Sequence, residues 1–278
     1  MKQTFVYGLL LAVSMLSVPV LAGDIKATMN LQTDALISNF DSKPDVDDLH
    51  SIAALSTILS QEPYASMTYL AVAGAYGQQD GVYIESPKLF NLAFGKNWVD
   101  AHNERDKALD KAATLAHKVL AGGGDLWLQD AGQADFSADL LRALRARMPE
   151  LNTKRRVHIV QHSVWNESVT HPDKLTYARN YSDYVKIADG NGAGNGTPNY
   201  RVDDGQLWET VLGNPKVGAV WREAKRLADE YNGKTGYDNT SVGNGGFDFS
   251  DTVEAVWILG IENVDTVDNF FGRFLAPQ

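Results

Sequence analysis

The sequence predicts an α/β domain with a mostly parallel, Rossmann-like sheet carrying helices on both faces. Two observations predict it. Short continuous apolar runs alternate with runs of helical periodicity along most of the chain. Apolar strands alternating with helices form βαβ units, whose parallel strands are buried on both faces. No linker and no internal repeat interrupts the pattern, so residues 23–278 read as one domain with its own core.

The elements follow in order. "DALISNF" (34–40) reads as a buried strand. "VDDLHSIAALSTILSQ" (46–61) reads as a helix, with Leu49, Ile52, Leu55 and Leu59 at helical spacing. "MTYLAVAGAYG" (67–77) is a second strand, and 104–124 is a helix stopped by "GGG". Segment 125–132 is a strand, 137–148 a helix and 155–163 a strand. Segment 171–181 is helical, with Pro172 near its first turn, and 183–188 is a short strand. "DGNGAGNGTPNYRVDDG" (189–205) has no period and reads as a loop. Segments 217–231 and 250–260 are helices, the latter with Ser250 as expected N-cap. Ligands of such sheets sit outside the carboxyl ends of the strands. The loops starting at Asp41, Gly77, Asp130, His162 and Asp189 should therefore open on one rim.

The first 22 residues have the pattern of a secretion signal. Lys2 is followed by an apolar centre, and "VLA" precedes Gly23 as a small-residue cleavage site. The apolar run is short of the ~20 residues that a membrane span needs, and polar sequence follows at once. The expectation is a periplasmic or secreted protein with no membrane partner once the signal is removed. Loss of Lys2 takes the net charge from −10 to −11. So acidic a chain repels nucleic acid. The absence of cysteine excludes a disulfide scaffold, a thiolate nucleophile and a cysteine zinc site. His-Glu-x-x-His and Gly-x-Ser-x-Gly are absent too, which argues against a zinc protease and a serine hydrolase. The glycine-rich 189–200 segment lacks the Lys-Ser/Thr ending of a phosphate-binding loop; it reads as a substrate lid or a plain surface loop.

The chemistry concentrates in "NFDSKPDVDDLHS" (39–51), where a strand turns into a helix. Asp41, Asp45, Asp47 and Asp48 repel one another unless a cation, a proton or hydrogen-bond donors neutralise them. Helix capping accounts for one or two of them, not four. The alternative is an oxygen-rich site for a hard cation such as Ca²⁺.

"DSKPDVDD" resembles the opening signature of the nucleoside hydrolase family, Asp-Thr-Asp-Pro-Gly-Ile-Asp-Asp, with matches at Asp41, Pro44, Asp47 and Asp48. "YLAVAGAYGQ", "GGGDLWLQDAGQADFSADLLRAL" and "GFDFSDTVEAVWILG" resemble later landmarks of that family in the same order. The match is similar to a secreted branch, some of whose members are described as cellulose-binding. The resemblance implies Asp41, Asp48 and Asp251 as calcium ligands, with Asp248 as second choice for the last, and a carbonyl near Gln129 and Asp130 completing the cage. It implies that Asp47 grips the vicinal hydroxyls of a sugar, nucleoside or oligosaccharide. Hydrolysis would then run through attack of a metal-bound water at the anomeric carbon.

Lys43 departs from that pattern, because the family places there the Asp that ligates the metal and acts as general base. An ammonium does neither. Asp45 is the candidate to replace it as base. Alternatively, the Lys43 ammonium takes the cation's place and contacts the ligand, or it points to solvent. His162 follows a strand and is a candidate to protonate a leaving group, although a lone His is more often structural. Trp165 can stack on a sugar face, with Asn166 and Glu167 gripping hydroxyls, or it belongs to the core. The leading expectation is a secreted hydrolase acting at an anomeric carbon. The alternatives are a non-catalytic carbohydrate-binding protein on the same scaffold and a structural periplasmic protein.

Overall fold

The computed structural model of the chain describes residues 28–276; the signal-like segment 1–22 lies outside the described residues. Six strands form one sheet: β1 (Ala35–Phe40), β2 (Thr68–Ala73), β3 (Trp98–Asp100), β4 (Leu126–Asp130), β5 (Val157–Gln161) and β6 (Asp183–Lys186). Their order is β3-β2-β1-β4-β5-β6, and every pairing is parallel. The strand order reverses direction between β1 and β4, and ligands of doubly wound sheets bind in the crevice at that switch.

Alternate residues of β1 face opposite sides. Leu36 and Phe40 join one apolar cluster, while Ala35 and Ile37 join the other. The first cluster is completed by α1 (Asp47–Leu59), α2 (Pro87–Phe94) and the helices Gly218–Tyr231 and Val267–Leu275. The second is completed by α3 (Arg105–Ala121) and α4 (Asp135–Arg147). Ala108, Ala112, Ala113 and Ala116 give α3 a small-residue face that packs closely on the sheet. The whole of α1 is buried, not only the face carrying Leu49, Ile52 and Leu55. It is wedged between the sheet and the helix Gly218–Tyr231, so even His50 and Thr57 are enclosed. Trp221 Nε1 donates to Thr57 Oγ1 at 2.9 Å, which satisfies one of those enclosed polar groups.

The register fixes the rim. Asn39 of β1 is level with Val72 of β2 and Asp130 of β4; Asp130 is level with Gln161 of β5, and Gln161 with Lys186 of β6. The residues that follow these strands emerge at one height.

Three expectations are corrected. The segment 189–205 is not wholly loop: β7 (Arg201–Val202) pairs antiparallel with β8 (Phe247–Asp248). Two residues are too few for a periodic signal. Ser250 does not cap the last-named helix; its hydroxyl donates to Asp248 Oδ1 at 2.8 Å, and a 3₁₀ turn Ser250–Thr252 precedes the helix Val253–Ile258. The sequence reading also lacks β3, α2 and the helices Trp208–Gly213 and Val267–Leu275.

The core makes a quantitative expectation. Ile37 is fully buried at the centre of the sheet, so Ile37→Ala should cost about 2–5 kcal/mol in urea denaturation. Leu92 on α2 is 43% exposed, and Leu92→Ala should stay within about 0.5 kcal/mol of the parent.

Candidate functional site

A cleft of about 350 Å³ opens at the carboxyl ends of the strands. The turn after β1 supplies Asp41, Lys43, Asp45 and Asp47 to its wall. The loops after β4 and β5 supply Ala131, His162, Ser163, Trp165 and Asn166. Asp189, Asn191 and Arg201 come from beyond β6, and Tyr237 and Asp251 from the C-terminal part. The strand ends at β1 and β4 thus meet at the switch point.

The acidic turn has a specific local cause. Ser42 adopts φ +47°, a left-handed conformation uncommon outside glycine. In that conformation its N–H reaches the Asp48 carboxylate, while the Lys43 N–H donates to Asp41 Oδ1 at 3.0 Å. Gln79, from the loop after β2, donates through Nε2 to Asp41 Oδ2 and to the Lys43 carbonyl, both at 3.1 Å. Behind Asp41 stands Gly132, where a Cβ would lie 2.5 Å from the Asp41 Cβ. Glycine is required there for close approach rather than for backbone freedom.

Burial dominates the electrostatics. It pushes Asp41 up to about 6, against the opposing pull of the Lys43 N–H and the Lys43 charge. Asp48 is held well above the usual carboxylate range by burial and by the neighbouring Asp41. Asp41 and Asp48 act directly on one another, and two carboxyls this close need a proton, a donor or a cation to offset their charge. Burial also raises Asp47 and Asp251, and each is raised further by the other acids of the cluster. Asp48 Oδ1 is buried with no hydrogen-bond partner among the described residues.

The Lys43 charge acts on Asp41 from a distance, without a close ion pair. Its Nζ lies 4.6 Å from the centroid of the Tyr76 ring, a cation–π contact. Among the described residues it forms no ion pair with a carboxylate within 4.0 Å. Arg201 pairs with Asp248 instead, Nε to Oδ2 at 3.0 Å. Asn239 Nδ2 and Ser250 Oγ also donate to Asp248, each at 2.8 Å, so that carboxylate is fully engaged and is no free ligand.

Asp45 keeps an independent position. Its Oδ1 accepts from the Val46 N–H at 2.6 Å and from Asn239 Nδ2 at 3.0 Å. Burial and the charge of Asp248 push it up to about 6. His162 is almost fully buried, its Nδ1 is 2.5 Å from Glu254 Oε1, and its Nε2 is 3.6 Å from Asp251 Oδ1. Burial, the largest single effect, would lower its pKa, but the neighbouring carboxylates of Glu254, Asp189 and Asp248 together outweigh it and leave it raised.

Asn166 donates to the Ala131 carbonyl at 3.1 Å and to Gln161 Oε1 at 3.2 Å, so its own carbonyl is the group left for a ligand. Trp165 and Tyr237 are 48% and 47% exposed and supply aromatic surface to the cleft. Glu167 is not brought to the cleft: Arg179, Lys186 and Tyr184 hold its carboxylate at 2.7, 2.5 and 3.0 Å. Asp48 lies beneath the wall rather than in it. Sequence reasoning passed over Arg201, Tyr237 and Glu254. Arg201 sits in an aperiodic stretch with no local signal. Glu254 carries one, because its spacing of three residues from Asp251 puts both on one helical face.

The donor set suits a hard, oxygen-seeking cation, since Asp41, Asp47, Asp48 and Asp251 crowd together and Asp48 Oδ1 is unpartnered. Among the described residues, no three acidic or histidine side chains already converge as a ligand shell. No protein-family model, curated protein or solved structure matches the chain.

Two outcomes are expected. Gly132→Ala should displace Asp41, cost about 1–3 kcal/mol by overpacking and weaken any ligand binding measured by calorimetry. The pH dependence follows from Asp130, which burial pushes up to about 7 despite donors from Ser137 and Asn39. A carboxyl raised in the folded state binds more protons there than when unfolded. Its contribution is complete below its ordinary value of 3.8 and is lost as pH rises through about 7. In chelator, the melting temperature should therefore fall between pH 5 and pH 8, and Asp130→Asn should flatten that fall.

Proposed function

We propose that this chain is a secreted hydrolase acting at the anomeric carbon of a glycoside or nucleoside. The observation that carries the reading is the meeting, in one cleft, of a buried acid cluster, a carboxyl with its pKa near 6 and a buried histidine. A general base works best with a pKa near the working pH, and Asp45 meets that condition. The signal-like pattern around Lys2 supports secretion.

In this reading Asp47 holds the sugar hydroxyls and Trp165 stacks on the ring face. Asp45 takes a proton from water, whose oxygen bonds to the anomeric carbon. The bond to the leaving group breaks with its electron pair, and His162 gives that atom a proton. Developing positive charge on the sugar is stabilised by the surrounding carboxylates. Asp41, Asp48 and Asp251 would hold a hard cation such as Ca²⁺. When bound, it supplies Lewis acidity to water and hydroxyl oxygens.

One observation favours a second reading, a non-catalytic carbohydrate-binding protein. Lys43 stands where the resembling family has its base, and its ammonium rests on Tyr76. Turnover separates the two. On a panel of p-nitrophenyl glycosides and nucleosides, Asp45→Asn should lower kcat by about 10²–10⁴-fold with ligand Kd unchanged. Trp165→Ala should raise KM with kcat retained. Binding without turnover in the parent protein would favour the second reading.

A further inference from the structure

We infer that Arg201 and Tyr237 set the specificity of the cleft: they grip an uncharged, hydroxyl-bearing ring and disfavour sugars that carry a phosphate or a carboxylate. The inference rests on the reading of the cleft as a sugar site. Arg201 is built into the wall by two elements. On the β7–β8 ribbon it stands directly opposite Asp248, and its Nε pairs with the buried Asp248 Oδ2 at 3.0 Å. From the loop after β6, Asn191 Oδ1 accepts from Arg201 Nη1 at 3.4 Å and from Ser250 Oγ at 3.1 Å. A guanidinium is planar and carries its N–H donors in a fixed fork, so anchors at Nε and Nη1 also fix Nη2. Among the described residues Nη2 has no hydrogen-bond partner, and Arg201 lines the cleft. Its two N–H groups are the part of the fork left for a ligand.

Tyr237 adds a second open donor. It lines the same cleft, is 47% exposed, and its hydroxyl has no hydrogen-bond partner among the described residues. Burial, and after it the charge of Asp45, pushes the phenol above its ordinary value, so it keeps its proton and donates. Asp47 supplies the matching acceptor. Its Oδ1 accepts the Asp48 N–H at 3.0 Å, while Oδ2 has no hydrogen-bond partner among the described residues. The charge of Asp47 acts on both Arg201 and Tyr237, which places donors and acceptor in one neighbourhood. A hydroxyl donates and accepts, so a ring with adjacent hydroxyls satisfies both sets at once.

Charge turns anions away. Arg201 is neutralised by Asp248, and the Lys43 ammonium rests on Tyr76. The wall also carries Asp41, Asp45, Asp47, Asp189 and Asp251. A phosphate or carboxylate brought into this wall meets like charge, with the guanidinium already paired. A hydroxyl meets the open donors of Arg201 and Tyr237 without that penalty.

The test is calorimetry at neutral pH on matched pairs of neutral and anionic sugars. The pairs are p-nitrophenyl glucoside with its glucuronide, p-nitrophenyl galactoside with its galacturonide, and inosine with its 5′-monophosphate. In the pair that binds, the parent should prefer the neutral member by at least about 10-fold. An anionic member bound as tightly as its neutral partner, or no binding across all pairs, would overturn the inference. Arg201→Lys keeps a cation opposite Asp248 and removes the Nη2 donors; it should weaken the neutral member about 5- to 10-fold. Tyr237→Phe removes only a hydroxyl from a half-exposed ring and should weaken the same ligand by a similar factor. It decides the matter where Arg201→Lys does not fold. Parental affinity in Tyr237→Phe, or in a folded Arg201→Lys, overturns the inference. Neutral preference in binding without turnover would overturn the hydrolase reading and leave this inference standing. Turnover with equal acceptance of both members would do the reverse.

Discussion

Neutralising the carboxylates of one buried turn is the constraint on which the site depends. Asp41, Asp47 and Asp48 leave the end of β1 with too little solvent to stay charged cheaply, and Asp251 joins them from the far end of the chain. Much of the surrounding sequence answers that demand. Ser42 takes a left-handed conformation that turns its N–H to Asp48. Gln79 brings an amide from the loop after β2, and Gly132 gives up a side chain so that Asp41 can sit against the β4 loop. Asp41 and Asp48 act directly on one another, so a proton, a donor or a cation must offset their charge.

The cationic side chains stand aside from this cluster. Arg201 is committed to Asp248, and Asn239 links Asp248 to Asp45. Lys43 lies on Tyr76, and His162 is held by Glu254. The cleft therefore combines a charge-deficient acidic floor with aromatic walls at Trp165 and Tyr237. In the proposed reading, a hydroxyl-rich ring would set its oxygens against the polar groups and its C–H faces against the aromatic surface. The combination also leaves the floor open to a cation from outside the chain.

The strands β1, β2, β4 and β5 were legible in the sequence because each holds an apolar run, as in 34–40 and 125–132, whereas β3 is only three residues long and gave no such run. The rim followed, since parallel strands in register end at one height. The acidic turn was legible from its density of like charge. What escaped reading was set by tertiary contact. The burial of every face of α1 depends on the helix Gly218–Tyr231, far away in sequence. The two-residue pairing of β7 with β8 has no period to detect. Glu167 stands in a polar run beside Asn166, yet Arg179 and Lys186 draw it off the cleft. Side-chain direction of that kind is decided by partners that local pattern does not reveal.

The most direct measurement is a calorimetric calcium titration of the chain from Gly23 onward, beside its Asp48→Asn variant. Buried carboxylates without an internal cation predict stoichiometric calcium binding in the parent and its loss in the variant. No binding in the parent, or equal binding in both, would contradict the account, for protons and hydrogen bonds alone would then satisfy the turn.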